Sequence, residues 1–177
     1  MALEVGIVGL PNVGKSSLLN ELTSAKSKVA NYPFTTKQPI LGIVEGEDFK
    51  FVMADLPGII EGAHQGRGLG DRFLRHAERT KVLVHLIDMA GTEGRDPLED
   101  YAKIKKELEL YSDKLAEKIR LVVANKMDLP EAAENLKRFK KKYKKEKVIS
   151  VSAIDNTGLD KLVEELWKLL RKAKVEA

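Results

Sequence analysis

The sequence predicts an α/β domain in three layers, a six-stranded, mostly parallel sheet with helices on both faces. Three observations lead there. Short, β-branched apolar runs alternate with longer stretches of helical period, which is the pattern of successive βαβ units. Two of the runs are joined by a connection too short for a crossover, so one antiparallel pair interrupts the parallel order. The glycine-rich turn GLPNVGKS (9–16) falls between the first run and the first helical stretch, at the edge where open α/β sheets gather ligand-binding groups.

The elements follow in order. LEVGIVG (3–9) is the first strand and residues 15–23 the first helix. ILGIVEG (40–46) and FKFVMAD (49–55) meet through Glu47 and Asp48 and pair antiparallel. VLVHLID (82–88), IRLVVAN (119–125) and KVISVS (147–152) complete the sheet, preceded by helical stretches at 70–80, 97–111 and 131–145. The last helix, 159–173, carries Leu159, Leu162, Val163, Leu166, Leu169 and Leu170 on one stripe, which is expected to lie on the sheet with Trp167 packed beside it. Residues 24–39 and 59–69 are long, polar and turn-rich, and loops of that length in a compact domain are functional or mobile.

Composition bounds the function. A chain of 177 residues with 43% apolar residues and 6 prolines fills one core, so residues 1–177 are expected to form a single domain. With no cysteine, disulfides, thiol nucleophiles and thiolate metal sites are excluded together. No run approaches the ~18 apolar residues of a membrane span, and the start lacks an export signal, so a cytoplasmic protein without a membrane span is expected. The net charge of +4 comes largely from NLKRFKKKYKKEK (135–147), which holds eight of the 31 basic residues.

GLPNVGKS satisfies G-x-x-x-x-G-K-[ST] in the strand–loop–helix setting that its mechanism requires, the P-loop of an NTPase. Gly9 and Gly14 let the backbone curl, so that amides from Leu10, Pro11, Asn12, Val13 and their neighbours through Ser17 surround phosphate at a helix N-terminus (Pro11 by shape alone). Lys15 sets a positive charge against the β and γ phosphates, and the Ser16 hydroxyl is a Mg²⁺ ligand. In ADLPG, Asp55 ends a strand beside the cradle and supplies a second group on the metal side. Leu56 and Pro57 lead to Gly58, whose N–H can approach the γ phosphate.

The base is expected to be guanine. NKMD (125–128) follows directly on a strand, and an ionised Asp128 accepts from both N1–H and the 2-amino group. Adenine would leave that carboxylate repelled and unpaired, the stronger kind of discrimination. Asn125 is expected to bind the base and tie this loop to the cradle, with the Lys126 stem over the purine and Met127 within the loop. One βα unit later, in VSAIDNTG, Ser152, Ala153 and Ile154 form a loop whose Ala153 N–H can reach guanine O6, with Ser152 expected to brace it. The rival is an ATP-using relative.

Together GLPNVGKSSLLN, ANYPFTT, FVMADLPGIIEGAHQGRGLGDRFLRHAERT, EGRDPLEDY, ELELYS, VVANKMDLPEAAENL and VSAIDNTGLDKL resemble the GTPase domain of the Obg family across nearly the whole chain. The resemblance implies a Ras-like G domain that binds GTP and GDP. It implies a switch on the large ribosomal subunit, in contact with rRNA, during assembly and in growth or stress control, with guanosine alarmone nucleotides as competing ligands. It places Thr36 on Mg²⁺ and the γ phosphate, with Phe34 and Thr35 beside it in the first switch loop. It also implies a glycine-rich domain before this module and a small one after it. Neither is in the sequence, and with Leu3 already in the first strand a domain excised from a longer protein is expected.

Lys15, Thr36, Gly58 and Asn12 form the expected catalytic set. Ile59 stands where Ras-like enzymes carry a water-orienting glutamine, and an aliphatic side chain cannot hydrogen-bond a nucleophile. Intrinsic hydrolysis is therefore expected to be slow, and a nucleotide-dependent binding module with negligible hydrolysis is the alternative. Ile59 and Ile60 also suit packing of the switch against the sheet. The missing help has three sources: K⁺ held near Asn12, as in related GTPases, a swinging Arg67 (or Gln65 or His64), or a partner protein. Asn12 equally suits a plain turn. GTP is expected to order residues 28–38 and 59–69. In 135–147, Leu136, Phe139 and Tyr143 share one helical face, leaving the lysines either solvated or against RNA phosphate. His85, inside a strand, reads as packed, and His76 as part of the helix after the second switch.

Overall fold

The computed structural model describes residues 4–9, 13–23, 28–29, 40–56 and 78–176. The sheet runs in the order β2-β3-β4-β1-β5-β6-β7. Its strands are β1 (Val5–Val8), β2 (Lys28–Val29), β3 (Ile40–Glu45), β4 (Lys50–Asp55), β5 (Val82–Asp88), β6 (Ile119–Asn125) and β7 (Val148–Ser150). All six expected strands are present, and the seven-stranded sheet adds one. The addition is β2, two residues antiparallel to β3 at the sheet edge, too short to leave a hydrophobic period in the sequence. β3 and β4 pair antiparallel, as the short connection demands, and β1 pairs in parallel with both β4 and β5.

The helices are α1 (Lys15–Leu22), α2 (Pro97–Tyr111), α3 (Asp113–Ala116), α4 (Glu131–Lys142) and α5 (Leu159–Glu176). α2 begins where sequence chemistry says it must: Asp96 accepts from the Leu98 N–H at 3.2 Å, and Pro97 occupies the first helical position. α4 stops at Lys142, short of the expected 145. Tyr143 leaves helical geometry there, at φ −113° and ψ 65°, with its ring 4.5 Å from that of Tyr101. The four-residue α3 was not expected; it is capped by the Ser112 hydroxyl, which accepts from the Leu115 N–H. Of the expected 70–80 helix, only its last residues fall within the described ones, and His76 lies outside them.

The two faces of the sheet can be read from β6. Successive residues of a strand point to opposite sides. Leu121 and Val123 join the core cluster that contains Leu162, Leu166 and Leu170 of α5, with Leu18 and Leu19 of α1. Val122 and Ala124 join the other, with Tyr101 of α2 and Ala132 and Phe139 of α4. Helices thus cover both faces, and three layers result. Trp167 lies partly buried at the edge of α5, stacked on Phe49 at 4.8 Å. Among the described residues, no helix is long and apolar enough to cross a membrane.

β1 is central, with β4 on one side and β5 on the other, so chain connections leave it in opposite directions. Such a switch point opens a crevice at the carboxyl ends of the strands. Val8, Asp55, Asp88 and Asn125 all end their strands at this one edge.

Candidate functional site

The glycine-rich turn is built for close backbone approach. Gly14 sits at φ 101°, a left-handed conformation, and caps α1 without a side-chain hydrogen bond. A Cβ there would fall 2.6 Å from Asn125 Nδ2, and one at Gly9 would fall 2.8 Å from the Leu86 carbonyl oxygen. α1 has no acidic residue in its first turn, unlike α2, which carries Glu99 and Asp100. No carboxylate of its own first turn offsets the helix dipole there, an arrangement that suits an external anion. Lys15 folds back so that Nζ donates to the Gly9 carbonyl at 3.2 Å, holding its charge over the turn. Ser16 and Ser17 are exposed on the first turn of α1, and Val13 is buried beneath it.

Asp55 ends β4 in register with Ile7 of β1 and is 8% exposed, so its carboxylate belongs to the crevice rather than to open solvent. The Leu56 N–H continues the pairing to the Ile7 carbonyl at 2.9 Å, with its side chain buried. A hydroxyl from Ser16 and a carboxylate from Asp55, both oxygen donors, suit Mg²⁺, which is held by few protein groups plus phosphate and water. Leu10, Pro11, Asn12, Phe34, Thr35, Thr36, Pro57, Gly58 and Ile59, with His64, Gln65 and Arg67, lie outside the described residues.

Asn125 joins three segments distant in sequence. Its Nδ2 donates to the Val13 carbonyl at 3.0 Å, and its Oδ1 accepts from the Ala153 N–H at 3.3 Å. Both bonds are buried, where leaving either end unmade costs more than an exposed bond would. Lys126 follows at φ 63°, a left-handed turn that swings the next residues outward. Asp128 is exposed at the crevice, and its Oδ1 accepts from the Ser152 hydroxyl at 2.8 Å. Ser152 thus holds Asp128 and also braces its own loop, its Oγ accepting from the Asp155 N–H at 3.2 Å. That loop closes through Ser152 and Thr157, which exchange backbone hydrogen bonds, while the Met127 N–H reaches the Val151 carbonyl. Ile154 is 80% exposed at the rim, an apolar side chain held in solvent beside a hydrogen-bonding edge.

Sequence reading passes over one member of this edge. Asp88 ends β5 in register with Asn125, and its carboxylate meets the Lys126 ammonium at 3.1 Å. The signal was available, since it is the same feature that singled out Asp55: a carboxylate closing a buried strand at the carboxyl edge. Burial works against its charge, yet hydrogen bonds from Thr92 and Lys126 outweigh that and hold its pKa below the ordinary carboxylate range.

The model of the 50S ribosome-binding GTPase family matches residues 4–126. GTPase Obg of Bacillus licheniformis is 58% identical over 165 residues, covering 92% of this chain and 39% of that protein. GTPase Obg of Thermoanaerobacter sp. is 51% identical over 175 residues, covering 98% of this chain and 41% of that protein. The chain spans about two fifths of the length of these relatives. Among solved structures, the G domain of the T. maritima FeoB iron transporter matches with a TM-score of 0.69 over 96% of this chain and 99% of its own, at 23% identity, and so shows the fold alone. A variant of Aquifex aeolicus Era bound to GDP and AlF4⁻ matches with a TM-score of 0.67 at 28% identity, over 96% of this chain and 57% of its own. With more than half its residues identical to those relatives over nearly its whole length, and with the cradle and base edge just described, the chain belongs to the Obg family of GTPases.

Proposed function

We propose that this domain binds GTP and GDP, hydrolyses GTP slowly to GDP and phosphate with Mg²⁺, and serves as the nucleotide switch of a cytoplasmic protein that acts on the large ribosomal subunit. The observation that carries the reading is the Asn125 junction, where one side chain fastens the Val13 turn to the Ala153 loop. Phosphate-binding and base-binding segments are thereby held at a fixed separation, which is what a nucleotide of fixed length requires. Asp128, fixed by Ser152, presents its remaining acceptor positions to paired donors, and guanine has them where adenine does not.

In the proposed reaction the amides at the start of α1 and the Lys15 ammonium stabilise the charge that spreads over the transferred phosphoryl group. Ser16 and Asp55, with Thr36, would hold Mg²⁺, which when bound neutralises charge between the β and γ phosphates. Thr36 and the Gly58 amide sense the γ phosphate. Asn12 would hold K⁺ in place of an arginine. With Ile59 at the position of the glutamine, nothing from that residue orients water, so turnover depends on the cation or on a partner. The match to the 50S ribosome-binding GTPase family supports the ribosome as that partner, and guanosine alarmones carry the same base to the same edge.

The test is single-turnover GTP hydrolysis with Mg²⁺, with and without large ribosomal subunits. Slow turnover alone and faster turnover with subunits are expected. Nucleotide binding with no hydrolysis under either condition would reduce the domain to a binding module.

A further inference from the structure

We propose that Asp88 and Thr92 are a positioning pair that fixes the Lys126 side chain at the base edge, so that the lysine presents its apolar stem to the purine while its charge is spent within the protein. The inference rests on the guanine-nucleotide reading of the site.

Asp88 is 2% exposed, and its carboxylate is surrounded by donors. Oδ1 accepts from the backbone N–H groups of Ala90 at 3.0 Å and Gly91 at 3.1 Å. Oδ2 accepts from the Thr92 N–H at 3.1 Å, from the Thr92 hydroxyl, and from Lys126 Nζ at 3.1 Å. The Thr92 hydroxyl spends its proton on Asp88 and its lone pair on Lys126 Nζ, 3.0 Å away. One ammonium is thus gripped from two sides by groups that are themselves pinned.

The frame behind them is also fastened. The Met89 N–H donates to the Asn125 carbonyl at 3.1 Å, and Asn135 Nδ2 of α4 donates to the Met89 carbonyl at 2.9 Å. The 88–92 turn is therefore fastened both to the Asn125–Asp128 turn and to α4. A lysine stem free in solvent loses rotamer freedom each time a ligand packs against it, whereas a tethered stem has already lost it. An ammonium neutralised by a buried carboxylate also adds no charge of its own at the base. Lys126 differs in this from Lys15, whose Nζ lies over the phosphate turn.

The pair acts through Lys126, so a double-mutant cycle tests it. Fluorescent mant-GDP is titrated and its release timed for the wild type, Asp88→Asn, Thr92→Val, Lys126→Met, and Thr92→Val combined with Lys126→Met. Methionine keeps an unbranched stem without the ammonium. Thr92→Val and Asp88→Asn are each expected to weaken GDP binding by about three- to tenfold, chiefly through faster release. In the Lys126→Met background, Thr92→Val is expected to change nothing further. Effects that multiply in the double variant, or unchanged GDP binding in folded Thr92→Val, would overturn the proposal. Thr92→Val leaves the three backbone bonds to Asp88 in place, so it carries the test even if Asp88→Asn does not fold. A wild-type protein that does not bind mant-GDP at all removes the guanine reading itself; binding by the wild type with indifferent variants removes this inference alone.

Discussion

In the proposed site Asn125 and Asp128 divide the work: one buried amide tethers two loops, and one exposed carboxylate would select the base. Asp128→Asn exchanges an acceptor for a donor, so GTP affinity is expected to fall by about a hundredfold or more while xanthine nucleotides gain, as competition against mant-GDP would measure. The residue types proposed for these roles are legible in GLPNVGKS and NKMD because phosphate and guanine impose fixed chemistry on a few neighbouring positions. The pairing of Ser152 with Asp128, and of Asp88 with Lys126, was not, because each joins residues far apart in sequence. His85 illustrates the bland side of the same ledger of polar residues. It is fully buried in β5, stacked 4.8 Å from Tyr101, and burial followed by the nearby Arg120 charge lowers its pKa to about 3. The unfolded chain takes up that proton first, near pH 6.5. Stability is therefore full above that pH and falls as the pH drops toward 3, at about 1.4 kcal/mol per unit for this group. His85→Leu is expected to flatten that acid limb in denaturant titrations run at pH 7 and pH 4.

At the scale of elements, hydrophobic period placed most strands and helices, because burial on one face leaves a repeat in the sequence. α5 is the clearest case: Leu162, Leu166 and Leu170 are all 0% exposed. Leu166→Ala is expected to cost about 2–5 kcal/mol, seen as a lower urea midpoint, with the spread set by how far the site collapses. What period could not show were β2 and α3, each about one repeat long, and the true end of α4, which ring contacts around Tyr143 decide. α4 buries Phe139 completely and holds Lys137, Lys140 and Lys141 exposed, so its basic face is open to solvent. If that face meets rRNA phosphate, charge reversal at Lys140, Lys141 and Lys144 should weaken subunit binding and flatten its salt dependence in sedimentation assays. Unaltered binding would assign the run to solvation alone.

For the whole molecule, the order of strands around β1 brings four strand ends and the start of one helix to a single edge, which is why motifs scattered over the sequence form one crevice. In the proposed mechanism, catalytic speed depends on that assembly, with the cation or a partner, rather than on Ile59. GTP hydrolysis measured in KCl and in NaCl at equal ionic strength, with Asn12→Ala alongside, is expected to be faster in KCl and to lose that preference in the variant. Equal rates in both salts would remove the cation and leave Arg67 or a partner as the source of acceleration. The sheet's two margins have a consequence of another sort. β2 contributes two residues at one border and β7 three at the other, among the described residues, and Lys147 beside β7 is paired with Glu165. The abbreviated β7 border gives a stray polypeptide little main chain to zip onto, so crowding or warmth should not mat preparations into ribbons through that margin.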